Sequence, residues 1–421
     1  MNQIPKNIQY YKFCIYGFLK NLRLFDVFFI LFLKETGISY LQIGFLYSVR
    51  QFVINLFEVP SGIFADSFGR KKSLIVSLTA YLISFIIFYY SKAYFYFIVA
   101  MALYGLGEAF RSGTHKAIIL QYLEKKDLLG IKTRFYGGTR SWSQLGSAVS
   151  SLLAMIVIFV TQNYRILFLL TAVPYFLNLI NIASYPKNLD KGENASTNEN
   201  VLKTSWEKIL DNIKEFAGFF KYQNNFRTLL SSAAFLSVFK TIKDYLQPIL
   251  QTIAISLPVI LNLETDQRTA IIVGISFFIL YLLTSAASRN AWRMEELTLN
   301  LSKSIDIVYL TGIVSIGISG ILLLLNLPAF SALVFVFLYI AQNVRRTLML
   351  SYLSEIISSK IMASGLSTES QLQTILIVIL APIFGFLADW IGLSGALIIT
   401  SILFIFAYPY LRLPIQTKTA K

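Results

Sequence analysis

The chain has few of the residues that build disulfides, metal centres and nucleotide sites. Its 421 residues include one cysteine, Cys14, and one histidine, His115. A single cysteine excludes an intrachain disulfide, and a zinc site of the usual type needs several cysteine and histidine ligands. The nucleotide-binding pattern G-x-x-x-x-G-K-[S/T] does not occur, and no catalytic triad is recognisable. We therefore expect no metal, no cofactor and no enzyme activity.

Charged residues are scarce as well. They make up 14% of the chain, against about 25% in ordinary soluble domains, whereas 56% of the residues are hydrophobic. A soluble fold of this composition would expose large apolar patches to water. The composition is therefore typical of an integral membrane protein.

Apolar segments of about 20 residues, long enough to cross a bilayer, recur along the whole sequence. We predict twelve spans, at 11–33, 40–64, 73–91, 94–120, 141–160, 165–185, 228–251, 269–288, 305–325, 329–353, 367–388 and 393–411. The strands of membrane β-barrels are shorter and alternate apolar with polar residues. The predicted fold class is thus an all-α integral membrane protein with twelve transmembrane helices.

One long polar segment divides these spans into two sets of six. It predicts an N-terminal bundle at 1–185, a linker at 186–227 and a C-terminal bundle at 228–421. From Ser205 onward the linker mixes charges with apolar residues at helical spacing, which predicts an amphipathic helix on the membrane surface.

The basic residues are distributed unevenly between the two sides of the predicted membrane. The net charge is +15, from 37 Lys and Arg against 22 Asp and Glu. With the N-terminus in the cytoplasm, 24 basic residues fall in or at the edge of cytoplasmic segments, Lys12 included, and four in or at the edge of the opposite loops, Arg165 included. This asymmetry places both termini and the linker in the cytoplasm. The charge thus reports orientation in a lipid bilayer, which we expect to be a prokaryotic plasma membrane, and does not indicate a nucleic-acid partner.

A short motif lies between the second and third predicted spans. It reads GIFADSFGRKKS, and its motif residues are Gly62, Asp66, Gly69, Arg70 and Lys71. Gly62 would let a neighbouring helix approach, and Gly69 would permit a tight turn. Asp66 would bond Arg70 or the positive end of a helix. The segment resembles the loop motif of the major facilitator superfamily, where this cluster latches the two bundles in the outward-open state.

The resemblance implies a fold of two pseudo-symmetric six-helix bundles, in which helices 1, 4, 7 and 10 line a central cavity. Internal repeats agree with it: ALYGLGEAFRSG in the fourth predicted helix aligns with FLYIAQNVRRTL in the tenth, so that Tyr104 corresponds to Tyr339 and Arg111 to Arg346. Parallel six-helix repeats of this kind carry transport by alternating access in the superfamily. We expect the protein to act as a monomer.

Charged residues inside the predicted spans are the candidates for function, because each costs roughly 2.5–3.5 kcal/mol near the bilayer centre. The predicted substrate-binding residues are Lys20, Arg23, Arg111, Lys240, Lys243 and Arg346. The predicted proton-coupling or gating residues are Asp26, Arg50, Glu58, Glu108 and Asp244. On continuous helices, Glu108, Arg111 and His115 would share one face, and so would Lys240, Lys243 and Asp244.

The basic residues inside the predicted spans can have either of two roles. They can grip the substrate, or they can pair with the buried acids as interhelical gates. The bases inside the predicted spans outnumber the acids, with nine bases against at least four acids, and fixed positive charge concentrates anions. We therefore predict a transporter of a small organic anion, a carboxylate or phosphate-bearing metabolite. Coupling to protons, coupling to sodium and uniport all stay open.

Two other functions stay open as well. One is a proton-coupled exporter of drugs or amphipathic compounds, for which a more apolar or acidic cavity is expected. The fifth predicted helix lacks the Gly-Pro-rich motif of proton-coupled drug antiporters. The other is a membrane receptor or scaffold that no longer transports.

Overall fold

A computed structural model describes residues 6–186, 189–190, 223–256, 262–298, 300–356 and 362–414. These residues form helices joined by short turns, and none of them lies in a strand. The chain divides into two compact units. The first comprises Met1–Phe32 and Val49–Ile209, and the second comprises Leu33–Ser48 and Leu210–Lys421. The predicted amphipathic helix of the linker lies outside the described residues.

The helices of the N-terminal half are, in chain order, α1 (Ile8–Asn21), α2 (Phe29–Glu35), α3 (Tyr40–Phe68), α4 (Arg70–Tyr90), α5 (Tyr94–Arg111), α6 (Thr114–Lys125), α7 (Lys132–Thr161) and α8 (Ile166–Ala183). Those of the C-terminal half are α9 (Gln223–Ile242), α10 (Leu246–Ser256), α11 (Thr265–Arg289), α12 (Trp292–Thr298), α13 (Leu301–Leu324), α14 (Pro328–Ile356) and α15 (Met362–Leu411). The last is interrupted at Gly392, where φ is 79° and ψ is 164°.

Eight helical segments among the described residues are long and apolar enough to cross a membrane. They correspond to eight of the twelve predicted spans. The other four are the spans predicted at 11–33, 40–64, 94–120 and 228–251, which hold most of the predicted site residues. These four spans contain charged residues or helix breaks, so that none of them offers a long uninterrupted apolar helix. The count of twelve transmembrane helices stays a prediction.

Two predicted spans are broken at equivalent places in the two halves. In the first span, α1 ends at Asn21 and α2 begins at Phe29, with a 3₁₀ turn at Asp26–Phe28 between them. In the seventh span, a 3₁₀ turn at Lys243–Tyr245 separates α9 from α10. The expectation that Lys240, Lys243 and Asp244 share one face of a continuous helix was wrong, because α9 gives way to a 3₁₀ turn at Lys243.

The fourth predicted span is broken as well. Helix α5 ends at Arg111 and α6 begins at Thr114, and Gly113 between them has a φ of +73°. A residue with a side chain rarely adopts this conformation, so glycine is suited to the turn. Glu108 and Arg111 share the last turn of α5, but His115 belongs to the next helix. The predicted common face of all three residues was therefore wrong for His115.

Helices in the second unit approach one another closely at small residues. An added Cβ on Gly44 of α3 would lie 2.2 Å from the carbonyl oxygen of Ala381 on α15. An added Cβ on Gly385 would lie 2.2 Å from the carbonyl oxygen of Tyr40. Such backbone-to-backbone packing is the means by which small residues join membrane helices. It joins the first part of α3 tightly to α15.

Candidate functional site

Arg23 is the centre of a charged cluster in the first unit, where it lies in the break between α1 and α2. Each of its three nitrogens donates a hydrogen bond: Nε to the Tyr175 hydroxyl at 2.9 Å, Nη1 to the Tyr104 hydroxyl at 2.6 Å, and Nη2 to Glu108 Oε1 at 2.8 Å. Asp26 Oδ2 lies 3.9 Å from Nη1. The guanidinium is thus held from α5, α8 and its own turn.

Glu108 is shared between two guanidinium groups. Its second oxygen, Oε2, accepts a hydrogen bond from Arg111, one turn further along α5. Arg111 also donates from Nε to the Tyr81 hydroxyl, at 3.3 Å. Both oxygens of the carboxylate are therefore occupied by arginines, and charge-assisted bonds of this kind are the stronger ones.

Lys20 is the remaining base of this group. We call Lys20, Arg23, Asp26, Glu108 and Arg111 the Arg23 cluster. Within the part of the chain that the structure describes, the Lys20 ammonium has no hydrogen-bond or ion-pair partner. It interacts electrostatically, at longer range, with the other four residues. The Arg23 cluster holds three bases and two acids, so one positive charge is left over.

The broken backbone beside Arg23 is supported by α8. The Thr171 hydroxyl accepts a hydrogen bond from the Leu24 amide at 3.1 Å. The Tyr175 hydroxyl donates to the Lys20 carbonyl at 3.0 Å while it accepts from Arg23. An interrupted helix inside a membrane needs such partners, because water cannot satisfy its free backbone groups there.

The second unit carries a corresponding group at its own break. Lys243 and Asp244 form an ion pair, and the Tyr47 hydroxyl donates to Asp244 Oδ2 at 2.9 Å. The Tyr339 hydroxyl donates to the Lys243 carbonyl at 2.7 Å. Tyr104 and its counterpart in the sequence repeat, Tyr339, thus make similar contacts. Each forms a hydrogen bond with a residue at the helix break of its own unit.

The second unit also contains a cavity of about 400 Å³ between α9, α14 and α15. Two predicted site residues, Lys240 and Arg346, line it. So do Arg345 and Glu369, which the sequence analysis did not select as site residues. Arg345 is 3% exposed. The sequence signal for it was its place beside Arg346, whereas nothing local marked Glu369.

The loop motif uses a different carboxylate from the one predicted. Gly69 has a φ of +109°, as a tight turn requires. The amide of Lys71, in the first turn of α4, donates to Asp190 Oδ1 at 2.9 Å. Asp66 is exposed, and within the described residues of the first unit it makes no ion pair with Arg70. In the first unit, Asp190 rather than Asp66 thus binds the N-terminus of α4, and the role that the motif gives Asp66 stays a prediction.

The other motif residues bind backbone carbonyls. Arg70 Nη1 donates to the Ala117 carbonyl at 3.3 Å. Lys71 Nζ donates to the Ala183 carbonyl at 2.5 Å, at the C-terminus of α8, where a cation complements the helix dipole. A Cβ on Gly62 would meet no described atom within 4 Å, so the close helix approach expected there is not made in this conformation.

Arg50 and Glu58, the predicted gating residues of α3, lie two turns apart on that helix. Arg50 is half-buried and Glu58 is exposed. His115 packs its ring on Tyr16, with 3.7 Å between the ring centres. Its Nε2 lies 3.3 Å from the hydroxyl of Tyr185. The Tyr185 hydroxyl donates a hydrogen bond of 3.3 Å to the Lys12 carbonyl.

Three kinds of observation now agree on the family: the loop motif, the repeated broken helices and a comparison with known families. The family model described as Major Facilitator Superfamily matches residues 14–294. The chain belongs to the Major Facilitator Superfamily. It is accordingly an integral membrane protein and a secondary transporter, and its family and fold are those of transporters rather than enzymes.

Solved transporters share this fold at low sequence identity. The nucleoside transporter NupG is 14% identical, with a TM-score of 0.68 over 96% of each chain. A D-xylose-proton symporter is 14% identical, with a TM-score of 0.69 over 96% of each chain. A peptide transporter POT is 14% identical, with a TM-score of 0.68 over 96% of this chain and 94% of its own. At these identities the likeness shows the fold alone.

One curated relative is similar over a short stretch. The uncharacterized MFS-type transporter YxaM of Bacillus subtilis (strain 168) is 32% identical over 91 residues. The match spans 22% of this chain and 23% of that protein.

Proposed function

We propose that this transporter moves a small organic anion, either a carboxylate or a phosphate-bearing metabolite, by alternating access. The observation that carries the proposal is the surplus of basic side chains within each unit. The Arg23 cluster has three bases and two acids. In the second unit the corresponding residues are Lys240, Lys243, Arg345 and Arg346 on the basic side, with Asp244 and Glu369 on the acidic side.

The surplus favours an anion for electrostatic reasons. Ionised groups inside a membrane protein are costly and are retained where they pair or serve a function. Fixed positive charge in a cleft with low-dielectric walls attracts anions and repels cations. A carboxylate or phosphate would also supply the hydrogen-bond acceptors that lysine and arginine lack.

Within the Arg23 cluster we assign the substrate contact to Lys20. Arg23 and Arg111 already share Glu108, and Arg23 bonds two tyrosines besides. These two arginines then act as the frame of the site, while the ammonium of Lys20 meets the anion. Asp26, which is 41% exposed and 3.9 Å from Arg23, is the carboxylate we propose for proton coupling.

The proposal includes the orientation suggested by the loop charges. Both termini would lie in the cytoplasm, and the membrane would be the plasma membrane of a prokaryote. The transporting unit would be a monomer.

A thermal-shift screen of the purified protein tests the substrate class. Ligands that bind the native state raise its apparent stability. We expect stabilisation by carboxylates or phosphates, but not by neutral sugars, neutral nucleosides or cationic amphipathic drugs. Lys20→Gln should remove the shift, whereas Lys92→Gln, a change at an exposed loop lysine, should preserve it. Stabilisation by cationic compounds alone would overturn the proposal.

A further inference from the structure

The cavity in the second unit has walls with more hydrogen-bond donors than acceptors. Its polar lining residues are Ser232, Lys240, Gln342, Arg345, Arg346, Glu369, Ser370 and Gln373. Among the described residues of the lining, three side chains are basic and one is acidic, which gives two net positive charges when all four are ionised. A volume of about 400 Å³ lies within the range of small-molecule sites, roughly 300–1,000 Å³.

Two buried donors in this lining lack acceptors. Arg345 Nη2 donates to the Ser231 hydroxyl at 2.9 Å and to the Ser231 carbonyl at 3.0 Å. Within the described part of the chain, however, Arg345 Nε has no hydrogen-bond partner, and neither has Gln373 Nε2. These residues are 3% and 7% exposed. Both atoms are closed to solvent, and the Arg345 guanidinium lies 4.9 Å from the centre of the Phe235 ring, so these donors do not face the open cavity. What the cavity offers a ligand is therefore the positive charge of its lining.

Glu369 is the acidic group among the described residues of the lining. Its Oε1 accepts a hydrogen bond of 2.5 Å from the Ser232 hydroxyl on α9. The charged groups that act on it are Lys240 from α9 and Arg345 and Arg346 from α14. Asp306 of α13 acts on Arg345 as well. A bound anion would therefore compete with the Glu369 carboxylate for the same positive charges.

We propose that this cavity is a binding site for an anionic group carrying two negative charges, a phosphate monoester or a dicarboxylate, and that Glu369 opposes its binding until it takes up a proton. The inference rests on the proposed function and narrows its substrate class. With Glu369 protonated, the described lining carries three positive charges, so a dianion leaves one of them unbalanced, whereas a monoanion leaves two. Protonation of Glu369 removes the competing charge and frees its basic neighbours for the ligand.

The test measures binding to the full-length protein by isothermal titration. The dianionic probes are sulfate throughout and, at pH 8, inorganic phosphate and succinate, with lactate and glycerol as the singly charged and neutral comparisons. Sulfate keeps both charges between pH 5 and pH 8, so any change in its affinity over that range comes from the protein. We expect dianions to bind more tightly than lactate, and sulfate to bind more tightly as the pH falls.

Two substitutions should act in opposite directions. Lys240→Gln should weaken dianion binding by about tenfold, as expected for the loss of one charge-assisted hydrogen bond. Glu369→Gln should strengthen it and abolish the pH dependence of sulfate binding. The matched controls are Lys303→Gln and Glu296→Gln, at exposed positions of the same half. Because Glu369→Gln is expected to improve binding, loss of folding cannot imitate the predicted result.

The outcomes separate this inference from the proposed function. If anions bind and Lys20→Gln abolishes their binding, while Lys240→Gln and Glu369→Gln change nothing, the cavity is not the site and the transported class stands. If only lactate binds, the assignment of a dianion is wrong. If none of the anions binds and cationic compounds do, both proposals fail together.

Discussion

Arg23 Nη2 donates a hydrogen bond of 2.8 Å to Glu108 Oε1, across 85 positions of sequence. The bond ties the break between α1 and α2 to the last turn of α5. Both side chains are only 17% exposed, so neither charge can be compensated by bulk water. The pair therefore joins two interrupted spans of the first unit.

Glu108→Gln should destabilise the protein strongly. The change leaves the guanidinium groups of Arg23 and Arg111 without their shared carboxylate, and breaking a buried pair from one side costs about 3–5 kcal/mol. The double variant Arg23→Gln/Glu108→Gln should recover part of this loss, because it removes one of the stranded charges. The measurement is thermal unfolding in detergent, with the exposed Glu124→Gln as control. Equal unfolding temperatures for wild type and Glu108→Gln would show that the pair is not structural.

Replacing glycine by alanine should lower stability at one position of α3, Gly44, but not at another, Gly62. Gly44→Ala places a methyl group 2.2 Å from a backbone oxygen, so α3 and α15 must separate. Gly62→Ala meets no described atom within 4 Å, and alanine is favoured over glycine in a helix by up to about 1 kcal/mol. Thermal unfolding should therefore occur earlier for Gly44→Ala and at the same or a higher temperature for Gly62→Ala. The opposite order would contradict the packing described for the second unit.

The carboxylate at the start of α4 can be identified by a pair of alanine variants. Asp190→Ala removes the acceptor of the Lys71 amide and should lower stability by about 1 kcal/mol, a typical value for loss of a helix cap. Asp66→Ala should leave the unfolding temperature unchanged in this conformation, since its side chain is exposed. The unfolding temperatures of the two variants, measured side by side, show which carboxylate stabilises the start of α4. A larger loss of stability for Asp66→Ala than for Asp190→Ala would mean that Asp66, as the motif suggests, binds the helix N-terminus.

The Leu24 amide, in the break beside Arg23, depends on one hydroxyl from α8, that of Thr171. Thr171→Val keeps the shape of the side chain but leaves the buried Leu24 amide without an acceptor, at a cost of about 1–3 kcal/mol. Thr161→Val, at an exposed position whose hydroxyl bonds its own helix, should cost much less. Chemical unfolding of both variants measures the difference. Similar losses at the two sites would mean that the break is held by other contacts.

The sequence predicts the family and much of the transmembrane plan. The loop motif and the aligned Tyr104 and Tyr339 identify repeated halves, and eight predicted spans correspond to helices of sufficient length. The spacing of Glu108 and Arg111 also predicts their proximity, because both lie within one helical turn. These features are local or periodic, which is the information that a single sequence carries most directly.

The helix breaks and the distant contacts could not be predicted in the same way. Hydropathy averages over a window and does not sense a break at Leu22 or Lys243. Asp190 caps a helix 119 positions away, and Glu369 bonds Ser232 across 137 positions. Such pairs depend on how the helices pack, which no spacing rule encodes. Glu369 lies at the polar start of its predicted span, where acidic residues are common, and so it carried no signal.

Transport of an anion can be measured as uptake of radiolabelled carboxylates and phosphates into proteoliposomes that contain the purified protein. We expect at least one anion to enter faster than into protein-free liposomes, Lys20→Gln to abolish this uptake, and Lys92→Gln to retain it. Transport of only neutral or cationic compounds, or anion uptake that survives Lys20→Gln unchanged, would contradict the proposed function.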